Sequence, residues 1–412
     1  MMINQFIELK DTGIEIIDGD RGKNYPKNHE FFKLGYCLFL STKNVTKNGF
    51  YFSDCQFISK EKDNKLGKGK LTINDIVITT RGTLGNVGFF DENINYKYIR
   101  INSGMLILRV NKDYDSYFIY SYLRSKLFKR QIQKFQSGSA QPQLPIKDFK
   151  YISIPIISIS EQINISKFLR NLDQKIDLLR RQNETLEQIA QTLFKHWFVD
   201  FEFPDNNGLP YKSSGGEMVQ SELGEIPAGW RIGKFSDEFK IIMGQSPPGE
   251  SYNENEEGMI FFQGCTDFGF RFPSIRLYTS QPKRTANKFD ILVSVRAPVG
   301  DVNVALDNCC IGRGLSAVSS ECKSYCLYKV KLFKGIFNLF ESEGTVFGAL
   351  NKVNFHNIDS IIPKMNIIKK FERITNPFDD KIYNNELVLR NLIKIRELLL
   401  PKLMSGQIRI RN

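Results

Sequence analysis

Histidine is almost absent from this chain: there are three in 412 residues, His29, His196 and His356, far apart. A lone histidine is more often structural than catalytic, and His196 falls near the end of a long helical stretch, where a cation suits the helix dipole. Cysteine is present seven times, an odd number with no framework, which fits a reducing cytoplasm better than secretion. Cys322 and Cys326, and the adjacent Cys309 and Cys310, have no histidine or second cysteine pair near them, so buried thiols are expected and no metal site. The G-x-x-x-x-G-K-[ST] phosphate loop is missing, and the glycines at 82–85 and 312–314 do not form a dinucleotide fingerprint. Ser246-Pro247-Pro248-Gly249 lacks the amide and the aromatic that an amino-methyltransferase motif needs. No apolar run reaches membrane-spanning length, and Ile152–Ile159 is strand-sized, so no membrane partner is expected. Residues 1–11 show no basic region ahead of an apolar core, so no signal peptide is expected and the location expected is cytoplasmic.

What is present is an ordinary globular composition, 41% hydrophobic and 25% charged, with length for two or three domains. Basic residues exceed acidic ones, 57 to 45, for a net charge of +12. Such an excess suits a nucleic-acid partner, and it also suits a Lys- and Asn-rich composition from an AT-rich genome.

Residues 161–197 contain no proline and no glycine. Apolar side chains recur there at Ile165, Phe168, Leu172, Ile176, Leu179, Leu186, Ala190, Leu193 and Trp197, a narrow stripe at helical spacing. Lys167, Arg170, Asp173, Lys175, Glu184 and Glu187 are expected to solvate the remaining faces. A helix of that length is about 55 Å long, and a seam so narrow calls for a helical partner. Residues 367–403 repeat the pattern with Phe371, Ile374, Phe378, Ile382, Leu389, Leu392, Leu399 and Leu403. Asp173, Lys175 and Ile176 recur 206 positions later as Asp379, Lys381 and Ile382. Asn183, Asn385 and Arg396 fall on the seam, where a polar group costs stability but can fix register. Pro377 is expected to kink or start the second helix, and Pro401 to end it or kink its last turn. An antiparallel pair is expected, because each helix follows a similar globular half.

That similarity is legible residue by residue. The run from Asp75 to Val87 aligns with the run from Asp290 to Val302, so Arg81 matches Arg296 and Gly85 matches Gly300. Gly35–Phe39 matches Gly258–Phe262, the turn at Gly19 matches Gly244–Pro248, and Pro155 matches Pro363. Each half reads as a mixed, strand-rich α/β domain, with Tyr114–Phe135 helical in the first. The expected boundaries are a first globe over 1–158, a helix over 159–198, a linker over 199–229, a second globe over 230–364 and a helix over 365–405. The Gly, Pro, Ser and Asn content of 199–229 marks a connection and not a core.

Arg81 and Arg296 follow strands and open glycine-containing loops at matching places. Each can take a phosphate or a guanine edge, or can pair with Asp75 or Asp290 to hold its loop. Ser139, Gln141 and Gln143 form a polar loop that can read adenine or serve as a solvated linker. Further loop candidates are Lys43, Asn44 and Lys47 in the first half, and Gln245, Gln263, Thr266, Lys283, Arg284 and Arg313 in the second. Acid-x-Lys pairs at Glu8–Lys10, Asp63–Lys65, Asp148–Lys150 and Glu238–Lys240 leave a self-contained metal-dependent nuclease as an alternative. A helical scaffold with no DNA role is another.

The stretch from Trp197 to Pro204, then Gly215-Gly216, then Leu223 to Trp230, together with the Gly244–Pro247 turn and the Glu161-Gln162 helix start, resembles the specificity subunit of type I restriction–modification systems. The resemblance spans nearly the whole chain. Two departures are visible: the Leu223–Trp230 lead-in has no counterpart before the first globe, and the Pro155–Gln162 helix entry is degraded at Pro363–Lys369. The resemblance implies two target recognition domains, each reading half of a bipartite site in double-stranded DNA. It implies an antiparallel coiled coil, within a pseudo-two-fold internal repeat, that sets the gap between the half-sites. It also implies a subunit without catalysis that recruits two methyltransferase subunits and restriction subunits. S-adenosylmethionine, ATP and Mg²⁺ would then belong to those partners.

Overall fold

The computed structural model describes residues 6–135, 143–342 and 349–410. The chain divides into two compact units, Met1–Leu179 with Leu387–Asn412, and Arg180–Glu386. Each unit therefore contains one portion of each long helix. Among the described residues no helix is long and apolar enough to cross a membrane.

The first unit is built on a four-stranded antiparallel sheet in the order Glu15–Asp18, Met105–Arg109, Ile76–Thr79, Val87–Phe89. Ile76–Thr79 is buried along its whole length, which explains its continuous apolar run in place of alternation. A smaller sheet places Cys37–Leu40 between Phe57–Ile58 and Ile99–Ile101, with the last of these parallel to it. Phe6–Glu8 pairs with Ser153–Pro155 just before the first long helix. The stretch expected as one helix is two, Ser116–Leu123 and Lys126–Phe135. Ser125 breaks it, because its buried hydroxyl accepts from Phe128 N (3.2 Å), in the manner of an N-cap.

The second unit repeats the strand order as Lys240–Met243, Leu315–Ser319, Ile291–Ser294, Val302–Val304. Its second sheet has five strands, and Met259–Phe262 again lies parallel to Cys309–Ile311. Arg231–Lys234 pairs with Asp359–Ile362 just before the second long helix. The likeness extends to single bonds. Asn74 and Phe289, one residue before the aligned aspartates, both have positive φ, at 72° and 68°. Thr72 N donates to Asp75 Oδ2 and Asn287 N to Asp290 Oδ2, each at 2.8 Å.

Residues 199–229 correct one expectation. They are not a bare connection: Phe201, Phe203 and Ile226 are buried in the core of the second unit, and Met218–Ser221 pairs with Gly224–Pro227 as a hairpin. Phe203 stacks on Trp230 (5.2 Å) and on Tyr211 (4.6 Å). Turn residues dominate the composition, but the few aromatics among them decide the packing.

The long helices are Ile159–Phe198 and Met365–Met404, 40 residues each. The second continues through Pro377 and Pro401. Pro377 is exposed, as is Arg373, whose carbonyl loses its N–H partner to the proline ring and can turn to water. In the first unit Ile176, Leu179 and Leu389 form a buried cluster with Leu392 and Ile393 against it. Phe168, Leu172 and Leu399 are half-buried beside Leu169, Leu400 and Leu403. In the second unit Ile382 is buried, with Leu186, Leu193 and Phe378 packed on the same core as Phe194 and Phe371. Partner numbers fall on one helix as they rise on the other: Asp173 meets Arg396 in the first unit, and in the second Asn183 meets Asn385 while Phe194 meets Phe371. Ile374 departs from the expected seam. It is 43% exposed, while Thr375 is fully buried and its hydroxyl is bonded to Phe371 O (3.0 Å). The turn after Phe371 advances the inward position by four residues, so the apolar Ile374 rotates outward.

Asp173 and Glu187 also differ from expectation, since neither is solvated. Asp173 accepts from Arg124 (2.8 Å), Arg396 (2.7 Å) and Tyr117 Oη (2.8 Å). Burial pushes its carboxyl up, but the Arg124 and Arg396 charges outweigh burial and hold it below its ordinary value. A carboxyl depressed in the folded state contributes stability above its unfolded value of about 3.9, and that stability is lost as pH falls through the folded value. Asp173→Asn is expected to lower unfolding free energy in urea by roughly 3–5 kcal/mol at pH 7, because two guanidiniums are left uncompensated. The gap between the variant and the parent should narrow as the pH is lowered below about 4.

Candidate nucleic-acid interface

The loop after Ile76–Thr79 and the loop after Ile291–Ser294 are the same clamp. In the first, Gly85 N donates to Thr79 O (2.9 Å), Asn86 N to Thr79 Oγ1 (3.0 Å), and the Thr79 hydroxyl to Thr83 O. In the second, Gly300 N donates to Ser294 O (2.9 Å), Asp301 N to Ser294 Oγ (2.8 Å), and the Ser294 hydroxyl to Pro298 O (2.7 Å). Gly85 and Gly300 have φ of 79° and 86°, and a Cβ would meet Ile132 Cδ1 at 2.7 Å or Phe337 Cβ at 2.9 Å. A β-branched or larger residue would be both strained and crowded there. Arg81 and Arg296 stand on these clamps, both exposed. They do not hold the loops through the aligned aspartates, because Asp75 is taken by Arg109 (2.8 Å) and Asp290 by Lys323 (3.0 Å). Gln143 and Ala349 bridge to Arg81 and Arg296 through the backbone.

In the first unit Lys43 lies in the turn Thr42–Asn44 and is exposed. Thr42 packs on Gly104, where a Cβ would sit 2.9 Å from Thr42 Cγ2 and 3.8 Å from Arg81 Cβ, so Lys43 and Arg81 belong to adjoining loops. Lys47 is exposed at the tip between Val45–Thr46 and Gly49–Phe50. Asn44 corrects the reading of this turn. It is 3% exposed, and its amide accepts from Ser41 N (2.9 Å) and donates to Tyr51 O and Asp54 O (both 3.1 Å). Those bonds use its amide to tie the loop together, which leaves nothing to read a base edge. Gln143 is exposed; Ser139 and Gln141 lie outside the described residues.

In the second unit more candidates converge. Gln245 N donates to Ile311 O (2.9 Å), Gly314 N to Gln263 O (3.3 Å), Ile311 N to Arg284 O (2.9 Å) and Val295 N to Gly314 O (2.9 Å). Arg313 N donates to Ser246 Oγ (3.2 Å). Gln245, Gln263, Arg284, Arg296 and Arg313 are thus carried on loops stitched to one another, with exposed side chains. Thr266, in the turn Cys265–Asp267, and Lys283 flank them and are exposed as well. The stitching needs glycine: a Cβ on Gly312 would lie 2.9 Å from Gln263 Cα, and one on Gly244 would lie 2.2 Å from Gly312 O. Gly19 faces Asn102 O in the same way, at 2.1 Å. Among the described residues, Lys43, Lys47, Arg81, Lys283, Arg284, Arg296 and Arg313 form no ion pair. Such unpaired cations on rigid loops are suited to phosphate oxygens and base edges.

Arg21, not singled out from the sequence, lies in the turn after Glu15–Asp18, where it pairs with Asp18 (3.2 Å) and donates to Ser103 O (3.2 Å). Its signal was the match of that turn to Gly244–Pro248, where Gln245 was singled out. Three of the four acid-x-Lys carboxylates have structural partners: Glu238 accepts from Tyr325 Oη and Ser360 Oγ (both 2.7 Å), Asp63 pairs with Lys70 and Arg100 (both 2.5 Å), and Glu8 pairs with Lys10 (2.5 Å). All seven cysteines are free thiols, and burial pushes Cys37 and Cys309 up to about 12.

The chain is similar to known proteins in sequence and in fold. Residues 7–188 match the family described as the type I restriction modification DNA specificity domain. A Methanocaldococcus jannaschii protein that bears the name MjaX type I restriction enzyme specificity subunit is 30% identical over 416 residues, covering 98% of this chain and 93% of its own. The HindI specificity subunit of Haemophilus influenzae is 24% identical over 464 residues, covering 95% and 98%. Among solved structures, the S subunit of a type I restriction–modification system from M. genitalium has a TM-score of 0.57 at 17% identity, with 97% of this chain and 95% of that chain covered, a likeness of fold.

Asn44→Ala is expected to lower stability by about 1–3 kcal/mol, because buried partners lose their bonds. Lys43→Ala and Arg81→Ala should leave the thermal midpoint unmoved. Melting curves of the three variants check both statements.

Proposed function

Because this chain belongs to the family of type I restriction–modification specificity subunits, whose role is DNA sequence recognition, we propose that it reads a bipartite site in double-stranded DNA. Residues 1–158 and 230–364 are the two target recognition domains, one for each half-site. The helices over 159–198 and 365–405 form an antiparallel coiled coil, within a pseudo-two-fold repeat, that sets the gap between half-sites. Residues 199–229 join the first helix to the second domain. The chain has no catalysis of its own and recruits two methyltransferase subunits and the restriction subunits. S-adenosylmethionine, ATP and Mg²⁺ act in those partners.

The observation that carries this reading is the clamp built twice. One hydrogen-bond pattern holds Arg81 in one unit and Arg296 in the other, amid loops of different sequence. A common frame with different surrounding side chains is what two readers of unlike half-sites require. The +12 net charge supports a phosphate-rich partner. Helices of 40 residues are about 60 Å long, ample for half-sites roughly 34 Å apart.

The test is methylome sequencing of cells that carry this gene with its methyltransferase gene. A bipartite methyladenine motif that appears only with this chain is expected. Arg81→Ala and Arg296→Ala should each relax or abolish a different half of that motif, leaving the other half readable. The same motif in both variants would remove the arginines from the reading set, and no new motif with an active methyltransferase would remove the function. DNA affinity of the assembled methyltransferase should fall linearly with salt on a log–log plot, with each arginine variant lowering the slope by about 1 if its contact is to phosphate.

A further inference from the structure

We propose that Arg271 is a positioning residue that sets the reading loops of the second unit against the helix pair, and through them the gap the protein accepts. This rests on the bipartite reading above. Arg271 is 5% exposed. Its Nη1 donates to Glu187, on the first long helix, and to Tyr328 Oη (3.2 Å), while its Nη2 donates to Asp379 on the second long helix. One planar guanidinium therefore holds both helices, a geometry for which the lysine ammonium has no equivalent.

The other end of the connection is the reading surface. Arg271 lies five residues after Thr266, and the intervening loop is pinned at three main-chain carbonyls. Ser274 N donates to Asp267 O (2.7 Å), Asn303 Nδ2 to Gly269 O (2.9 Å), and Val304 N to Arg271 O (2.9 Å). A Cβ on Gly269 would lie 2.5 Å from Phe272 O, so the turn is tight. A stiff segment with an exposed threonine at one end and a doubly bonded buried arginine at the other fixes the angle between loop and helices. Charge makes the tie strong. Glu187 has a second cation in Lys331, but Arg271 is the one ion-pair partner of Asp379 among the described residues. The first unit is built differently: Asp173 takes its cations from Arg124, at a helix end, and from Arg396, on the second long helix. Its reading loops send no such arginine into the helices among the described residues.

The experiment measures methylation by the full chain assembled with its methyltransferase subunits. Substrates are duplexes that carry both half-sites with the native gap, or with one base pair more or fewer. The parent should prefer the native gap. Arg271→Met is expected to reduce that preference about tenfold, roughly 1.4 kcal/mol, with both half-site sequences unchanged. Because that variant leaves Asp379 without its cation while Glu187 keeps Lys331, the double variant Arg271→Met, Asp379→Asn is measured beside it. It removes the stranded charge, and its folding is checked by circular dichroism. A folded double variant with relaxed gap preference supports the proposal. One that keeps the parent's preference overturns it and leaves Arg271 as charge compensation. Arg271→Lys retains the charge without the fork and should relax the preference by a smaller factor; parental behaviour there also counts against the proposal. A parent that methylates all three gaps alike overturns the bipartite reading, and this inference with it.

Discussion

Carboxylates on the inner faces of two long helices must be met by cations, and much of the rest of the molecule is arranged to supply them. Asp173, Glu187 and Asp379 each lie where the periodicity of their helix would allow an apolar residue or solvent. An unpaired charge in such a place costs several kcal/mol, so it persists only with partners in good geometry. Those partners come from elements far away in the chain: Arg124 from the end of a short helix, Arg271 from a loop, Lys331 from another helix, and Arg396 from the opposite long helix. Each unit is thereby joined to its own helical portions by directional bonds as well as by apolar packing. Apolar packing tolerates small rotations, whereas a bidentate or bridging guanidinium does not.

The two clamped loops show a complementary division of labour. Buried threonine or serine hydroxyls, positive-φ glycines and short main-chain bonds define the clamp in both units. The exposed residues are free to differ, because none of those bonds runs through their side chains. In the second unit Gly244, Gly312 and Gly314 let three loops touch main chain to main chain, so that side chains from distant positions share one surface. The exposed side chains can then vary without disturbing the frame. Asn44 belongs to the frame although its residue type suggests a reader, and Arg81 is left exposed although a neighbouring aspartate suggested a structural pair.

Much of this architecture is legible in the chain's local patterns. The 206-residue recurrence, the two helices, the matched strands around Asp75 and Asp290 and the paired arginines all rest on periodicity and turn chemistry, which are local properties of the chain. What sequence reasoning misplaced were residues whose role depends on distant partners. Glu187 read as a solvated helix face because its neighbours in sequence are polar; Arg271 and Lys331, which bury it, lie 84 and 144 residues away. Phe201 and Phe203 read as linker because the surrounding glycines and prolines outnumber them, yet Trp230 and Tyr211 draw them into the core. Ile374 and Thr375 exchanged places because an eight-residue apolar pattern does not resolve the rotation of one turn.

The amino-acid sequence by itself determined the order of elements, the lengths of the helices, the positions that demand glycine and the excess of positive charge. These follow from backbone sterics, from helical and strand periods and from counting, none of which needs a partner. The tertiary structure alone decided which polar residues would be buried and which would face solvent. It settled which cation answers each carboxylate and which loops share a surface. Those outcomes depend on desolvation and hydrogen-bond geometry between residues separated by tens to hundreds of positions, and no local pattern carries that information.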